Sequence, residues 1–109
     1  MEIDRRVEEV QEEVEMEEVR VEVRYSSMSQ EKTSSCLGIC RRAVEKLGRE
    51  ELRLFKEVSL AVKHDLDSKL GPSWHVVSGE DFSSWIEYES ECCMMVSFGP
   101  LSLLFWKHG

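Results

Sequence analysis

An α+β domain is predicted for this 109-residue chain, a strand and two helices followed by a four-strand antiparallel sheet, from three observations. The apolar period is two in "VRVEVRY", becomes three and four between Ser29 and Leu70, and returns to two after Gly71-Pro72. Consecutive helices followed by consecutive strands pack as a helical layer on a sheet. Apolar residues at 41% and charged residues at 33%, over a length suited to one core, describe one ordinary globular unit.

The chain divides by charge. Residues 1–24 carry ten acidic and four basic side chains, and residues 25–109 carry twelve and ten. Residues 1–18 are therefore set apart as an acidic N-terminal arm and 19–109 as the folded domain. Val7, Val10 and Val14 on a glutamate background read either as a thin helical stripe or as a disordered arm, and the composition favours partial disorder. An acidic arm on a near-neutral body argues against nucleic acid, which demands a basic patch, and against anionic membrane surfaces. No apolar run approaches the roughly 20 residues of a membrane span. The first residues lack the apolar core of a signal peptide, so the expected compartment is intracellular and the four cysteines are expected as free thiols.

Val19, Val21, Val23 and Tyr25 alternate with charge and predict a half-buried first strand with these four on one face. Ser29 is the expected N-cap of a helix whose buried stripe is Cys36, Ile39, Cys40, Ala43, Val44 and Leu47, ending at Gly48, with Gly38 as an interior weak point. Leu54, Val58, Ala61, Val62, Leu66 and Leu70 form the apolar face of a second helix that closes at Gly71-Pro72. Strands are then expected at 73–78, 82–89, 93–98 and 101–107, with Gly99-Pro100 turning the last pair.

Candidate chemistry is sparse. A catalytic His75 needs a nucleophile or carboxylate set to work with it, such as Cys36, Cys40, Cys92, Cys93, Asp81 or Glu89, but no nucleophile elbow, metal-type pair or phosphate loop is present. Cys36 and Cys40 lie one helical turn apart, as a zinc clip requires, yet no second pair completes it, and small buried stripe residues explain them. Neither cofactor nor catalysis is expected. His64 and His108 read as solvated, and His75 as structural or interfacial. Strand 82–89 puts aromatic groups on both faces, which calls for cover by a second subunit or for a central position in a monomer.

"GPSWHVVSGEDF", "SSWIEYES", "GPLSLLFWKHG" and "AVKHDLDSKL" resemble the small, eight-kilodalton class of dynein light chains, over residues 21–109 and in the same element order. The resemblance implies a non-catalytic symmetric dimer whose third strand, here 82–89, crosses to the partner's sheet and leaves an edge for β-strand addition by target peptides. Two such grooves clamp two segments at once. By position, Phe82, Ser83, Ser84, Trp85, Ile86, Glu87 and Tyr88 form the groove edge and Cys93, Met95 and Ser97 its floor. Lys56 and Glu57 match positions that meet the peptide's glutamine. His75, with Trp74 and Ile86, matches the dimer interface, where titration of the histidine would loosen the pair at low pH.

Departures are equally informative. Family members usually have Gly at Ser83, Thr at Glu87, His at Tyr88 and aromatic residues at Cys93, Met95 and Ser97, and the loop "GREELRLFKE" is about five residues longer than usual. Glu87 would repel an acidic peptide, so a target preference different from the common Thr-Gln-Thr anchor is expected. "VRYSSMS", "SWHVVSGE" and "FWK" resemble axonemal variants. The implied role is a dynein light chain of a ciliary or flagellar motor, bound to intermediate chains beside other light chains, as a homodimer or as a heterodimer with a related light chain. The implied location is the cytoplasm and cytoskeleton, in the axoneme of a cilium or flagellum, and a free-standing dimeric peptide-binding hub for non-motor partners is the alternative. Residues 1–18 would contact a neighbouring subunit.

Overall fold

A computed structural model of the chain describes residues 20–80, 82 and 87–109. The first strand, β1 (Val21–Ser26), leads through a short turn to helix α1 (Gln30–Gly48). Ser29 caps that helix, its hydroxyl accepting from the Lys32 N–H at 3.2 Å. The buried residues of α1 are the six the spacing predicts, Cys36, Ile39, Cys40, Ala43, Val44 and Leu47.

The helix stops as expected at Gly48, but by a different device. Gly48 is its last helical residue, Arg49 is the C-cap, and the left-handed conformation falls on Glu50 at φ 64°. The Glu51 and Leu52 amides donate back to the Lys46 carbonyl at 2.8 and 3.1 Å, so the chain recoils over the last turn without a glycine at the turning point.

Helix α2 (Phe55–Leu70) buries Val58, Val62 and Leu66 and ends at Gly71, φ 83°. Its start is fixed by Glu57, whose carboxylate accepts from the Arg53 and Leu54 amides at 2.6 and 2.9 Å. Three strands follow, β2 (Trp74–Gly79), β3 (Cys93–Phe98) and β4 (Leu101–Lys107). The order across the four-stranded antiparallel sheet is β1-β3-β4-β2. Gly99, φ 60°, makes the two-residue β3–β4 turn with Pro100, a conformation suited to the primed turns of tight hairpins. Half of the strand expected at 82–89, residues 83–86, lies outside the described residues, and Phe82 and residues 87–89 belong to no strand.

Both helices cover one side of the sheet, α2 lying over β2 and α1 beside it. Met94, Val96, Phe98, Leu101, Leu103 and Phe105 point into the layer between, with Trp74 tilted against Phe105 at 6.2 Å. One expectation fails on β1. A bulge lies between Val23 and Tyr25, so that Val23 opposes Val96 on the helix side whereas Tyr25 opposes Met95 on the other. The extra residue reverses the alternation, and Tyr25 leaves the face shared by Val21 and Val23. That strand is also less buried than its pattern predicts, Val23 and Tyr25 being exposed.

Candidate functional site

The sheet face away from the helices is ordered into cross-strand rows. His75, Trp106 and Cys93 form the first, Val77, Leu104, Met95 and Tyr25 the second, and Gly79, Ser102, Ser97 and Glu22 the third. Strict alternation along β2, β3 and β4 places these side chains together, and the β1 bulge adds Tyr25. Cys93, Ser97 and Leu104 are buried, whereas Tyr25, Val77 and Tyr88 remain exposed apolar surface.

At the open end of β2, His75 stacks on Trp106 with ring centroids 5.6 Å apart, and its Nε2–H donates to the His108 carbonyl at 3.0 Å. His75 is thus held by the chain's last strand, while His64 is exposed on α2. Trp74 is not brought to this face. It is buried on the helix side, its indole N–H meets no acceptor among the described residues, and its main chain is gripped instead. The Asp67 carboxylate accepts from the Trp74 N–H at 3.0 Å, and the Lys63 ammonium donates to the Trp74 carbonyl at 2.8 Å and to Asp67 at 2.7 Å. The Lys63 hydrogen bond, reinforced by the Trp74 amide, holds the Asp67 carboxyl below its ordinary range. This buckle sets where β2 begins.

At the other end, Ser78 donates to the Phe55 carbonyl at 2.9 Å and meets the Ser59 hydroxyl at 2.6 Å. The first turn of α2, with exposed Lys56 and with Glu57, is thereby fixed beside the end of β2. The backbone amides of Arg53 and Leu54 hold the Glu57 carboxyl below its ordinary range. Phe82 packs near Gly79 and, with Arg24, Glu80, Met95 and Ser102, lines a cavity of about 250 Å3. Ser97 therefore lies at one end of the outer face, near Phe82, with Met95 in the middle and Cys93 at the other end, and Ser97 meets Ser102 at 3.2 Å. Ser83, Ser84, Trp85 and Ile86 lie outside the described residues.

Glu87 and Tyr88 are exposed. The Tyr88 hydroxyl meets that of Tyr25 at 2.8 Å, and this hydrogen bond raises the Tyr88 ionisation above its ordinary value. Glu89 donates its N–H to the Lys107 carbonyl at 2.9 Å and pairs its carboxylate with Lys107 at 3.8 Å. Sequence reasoning missed Tyr25 and Lys107 as anchors of this segment, since neither is near it in sequence.

Among the described residues β2 is hydrogen-bonded only to β4 and β1 only to β3, so these two strands are the edges of the described sheet. The chemistry of the cysteines points elsewhere. Cys36 and Cys40 are fully buried, and Cys36 donates to the Met28 sulfur at 3.7 Å. Burial pushes the Cys36 thiol up to about 11 and Cys40 further, which opposes both thiolate attack and metal ligation. Among the described residues no group of three or more His, Cys, Asp or Glu side chains converges as a metal site would, and no helix is long and apolar enough to cross a membrane.

The sequence model of the family described as "Dynein light chain type 1" matches residues 20–108. Dynein light chain 1, cytoplasmic, of Candida glabrata is 31% identical over 88 residues, covering 81% of this chain and 96% of that one. The probable dynein light chain 2, cytoplasmic, of Caenorhabditis elegans is 27% identical over 94 residues, covering 86% and 99%. Among solved structures, the dynein light chain-like domain of a Fasciola hepatica calcium-binding protein superposes with a TM-score of 0.70 at 21% identity, over 88% of this chain and 98% of that one. The DLC-like domain of CsTAL3 gives a TM-score of 0.51 at 22% identity, over 80% and 90%, and these two likenesses bear on the fold. With a family match that leaves out only the first 19 residues and the last glycine, the protein belongs to the dynein light chain family, as a divergent member of its non-catalytic eight-kilodalton class.

Proposed function

We propose that this light chain pairs with a second light chain and clamps two partner segments by strand addition. One observation carries the reading: β2 is an edge strand among the described residues, and the outer face of its sheet carries exposed Val77 on β2 itself and exposed Tyr25 on the far edge. A free edge templates a further strand, and an apolar patch beside it is covered best by another subunit. In this reading the domain runs from residue 19 and residues 82–89 cross to the partner sheet. Phe82, Ser83, Ser84, Trp85, Ile86, Glu87 and Tyr88 then offer the groove edge, Cys93, Met95 and Ser97 the floor, and Lys56 and Glu57 the contact to a polar side chain of the bound segment. His75 lies between subunits, with Ile86, on the face opposite the buried Trp74.

The bound segments are those of dynein intermediate chains, held beside other light chains in a ciliary or flagellar motor. Glu87 and Glu80 beside the groove favour a segment without acidic residues at the contact. A second reading, a cytoplasmic hub for non-motor partners, is favoured by the cytoplasmic designation of both curated relatives. Native mass measurement of the protein, alone and with an equimolar intermediate-chain N-terminal segment, tests the clamp. A dimer that takes up two segments is expected, and a monomer that binds none overturns it. Recovery with heavy and intermediate chains from axonemes separates the motor role from the hub.

A further inference from the structure

On the helical side, away from the sheet, a cavity of about 540 Å3 opens between α1 and α2, lined by Ser34, Ser35, Gly38, Ile39, Arg42, Lys69 and Leu70. Its floor is apolar, from Ile39 and Leu70, and its rim holds two cations and two hydroxyls with no carboxylate. Lys63, Arg49 and Lys107 each hold an acidic partner. Neither the Arg42 nor the Lys69 side chain has a hydrogen bond or ion pair among the described residues. Gly38 is the second oddity. A glycine weakens a helix interior, yet a Cβ here would meet nothing nearer than the flexible Arg42 Nη1 at 3.7 Å, so no tight packing requires it. What the missing side chain leaves is depth in this cavity.

We propose that this cavity seats the chain's own acidic N-terminal arm, around Val7–Val14. The complementarity is twofold. Residues 1–18 contain nine carboxylates and two arginines, and Val7, Val10 and Val14 are flanked by Glu8, Glu9, Glu12, Glu13 and Glu15. A small apolar side chain with carboxylates on either side is what an apolar floor with a cationic rim accepts. The tether is comparable in length with the domain. Arg20 is anchored by the Gly99 N–H at 2.9 Å, the domain's longest dimension is 36 Å, and the dozen residues back to Val7 span up to about 40 Å when extended. Tethering gives the arm a high effective concentration, so weak contacts are enough to populate the seat. This inference does not depend on the peptide groove, which lies on the opposite face.

Zero-length carbodiimide coupling of the full-length protein, followed by peptide mapping, tests it. The expected product is an amide between Lys69 and a glutamate among Glu8, Glu9, Glu12 and Glu13, at single-chain mass and several-fold above coupling to Lys46, an exposed lysine outside the cavity. Arg42→Glu keeps the Lys69 amine available but should cut that yield several-fold, as should 0.5 M salt. Gly38→Leu fills the floor without changing charge and should do the same while retaining the helix. Coupling spread evenly over exposed lysines, a Lys69 product insensitive to both substitutions, or a product joining two chains overturns the proposal.

Discussion

The Tyr25 and Tyr88 hydroxyls lie 2.8 Å apart, joining the bulged first strand to the segment that precedes β3. Without the bulge Tyr25 would point toward the helices and the pair could not form. These are the chain's two tyrosines, which makes the link directly readable. The Tyr25 hydrogen bond raises the Tyr88 ionisation above its ordinary value of 10.0, so in Tyr25→Phe the remaining phenol should titrate at lower pH than Tyr88 does in the native protein. Ultraviolet difference titration measures this, and Tyr88→Phe isolates the other partner. Amide exchange at 87–89 should rise several-fold in either variant. An unshifted phenol in Tyr25→Phe would show that the link does not persist in solution.

The Lys63–Asp67 pair grips both main-chain groups of Trp74, at 2.8 and 3.0 Å, and so fixes the start of the strand that carries His75. Because the folded-state Asp67 value is lowered, its stabilisation is complete above the ordinary value of 3.8 and is lost as pH falls through the folded value. Asp67→Asn should cost about 1–2 kcal/mol at neutral pH, and denaturant unfolding should show the gap to wild type closing below pH 3.8. A gap constant down to pH 3 contradicts the buckle. Lys63→Met should be non-additive with Asp67→Asn, since both act on one network.

Much of this fold was legible in the sequence, and the exceptions share a cause. The buried stripe of α1, the Ser29 cap, and the 93–98 and 101–107 strands follow from periods and capping chemistry that act over a few residues. The position of Tyr25 depends on a single extra residue in β1 opposite β3, which alternation alone does not reveal. The outer-face rows depend on register between strands remote in sequence. At Gly48 the local signal was present but the turning residue is Glu50, because the recoil closes two residues later. This yields a prediction: Glu50→Gly removes a side chain from a left-handed position and should stabilise the protein by about 1 kcal/mol, measured by denaturant unfolding. Destabilisation would show that the Glu50 side chain contributes more than its backbone conformation costs.

The cysteines should separate by reactivity. Cys92 is partly exposed, whereas Cys36, Cys40 and Cys93 are buried, and burial raises all three of those thiols. Iodoacetamide at neutral pH should label Cys92 first, with Cys36 and Cys40 slower by an order of magnitude or more, since the thiolate is the nucleophile. Cys40→Ser should cost about 1–3 kcal/mol by placing a hydroxyl in an apolar site. Rapid labelling of Cys40 in the folded protein would contradict its place in the core.

Val77 offers the sharpest separation of self-association from folding. Its side chain is on the outer face of β2, 38% exposed, in the row with Leu104, Met95 and Tyr25. A carboxylate there remains hydrated in a single chain but must be desolvated, without a counter-charge, if a second copy covers the row. Val77→Glu should therefore abolish the proposed dimer by native mass while changing single-chain stability by less than about 1 kcal/mol. Leu60→Glu is the matched control, because Leu60 is 66% exposed on α2 and away from this face. It should leave both mass and stability unchanged. A dimer that survives Val77→Glu but not Leu60→Glu would move the self-association surface from the sheet to the helices.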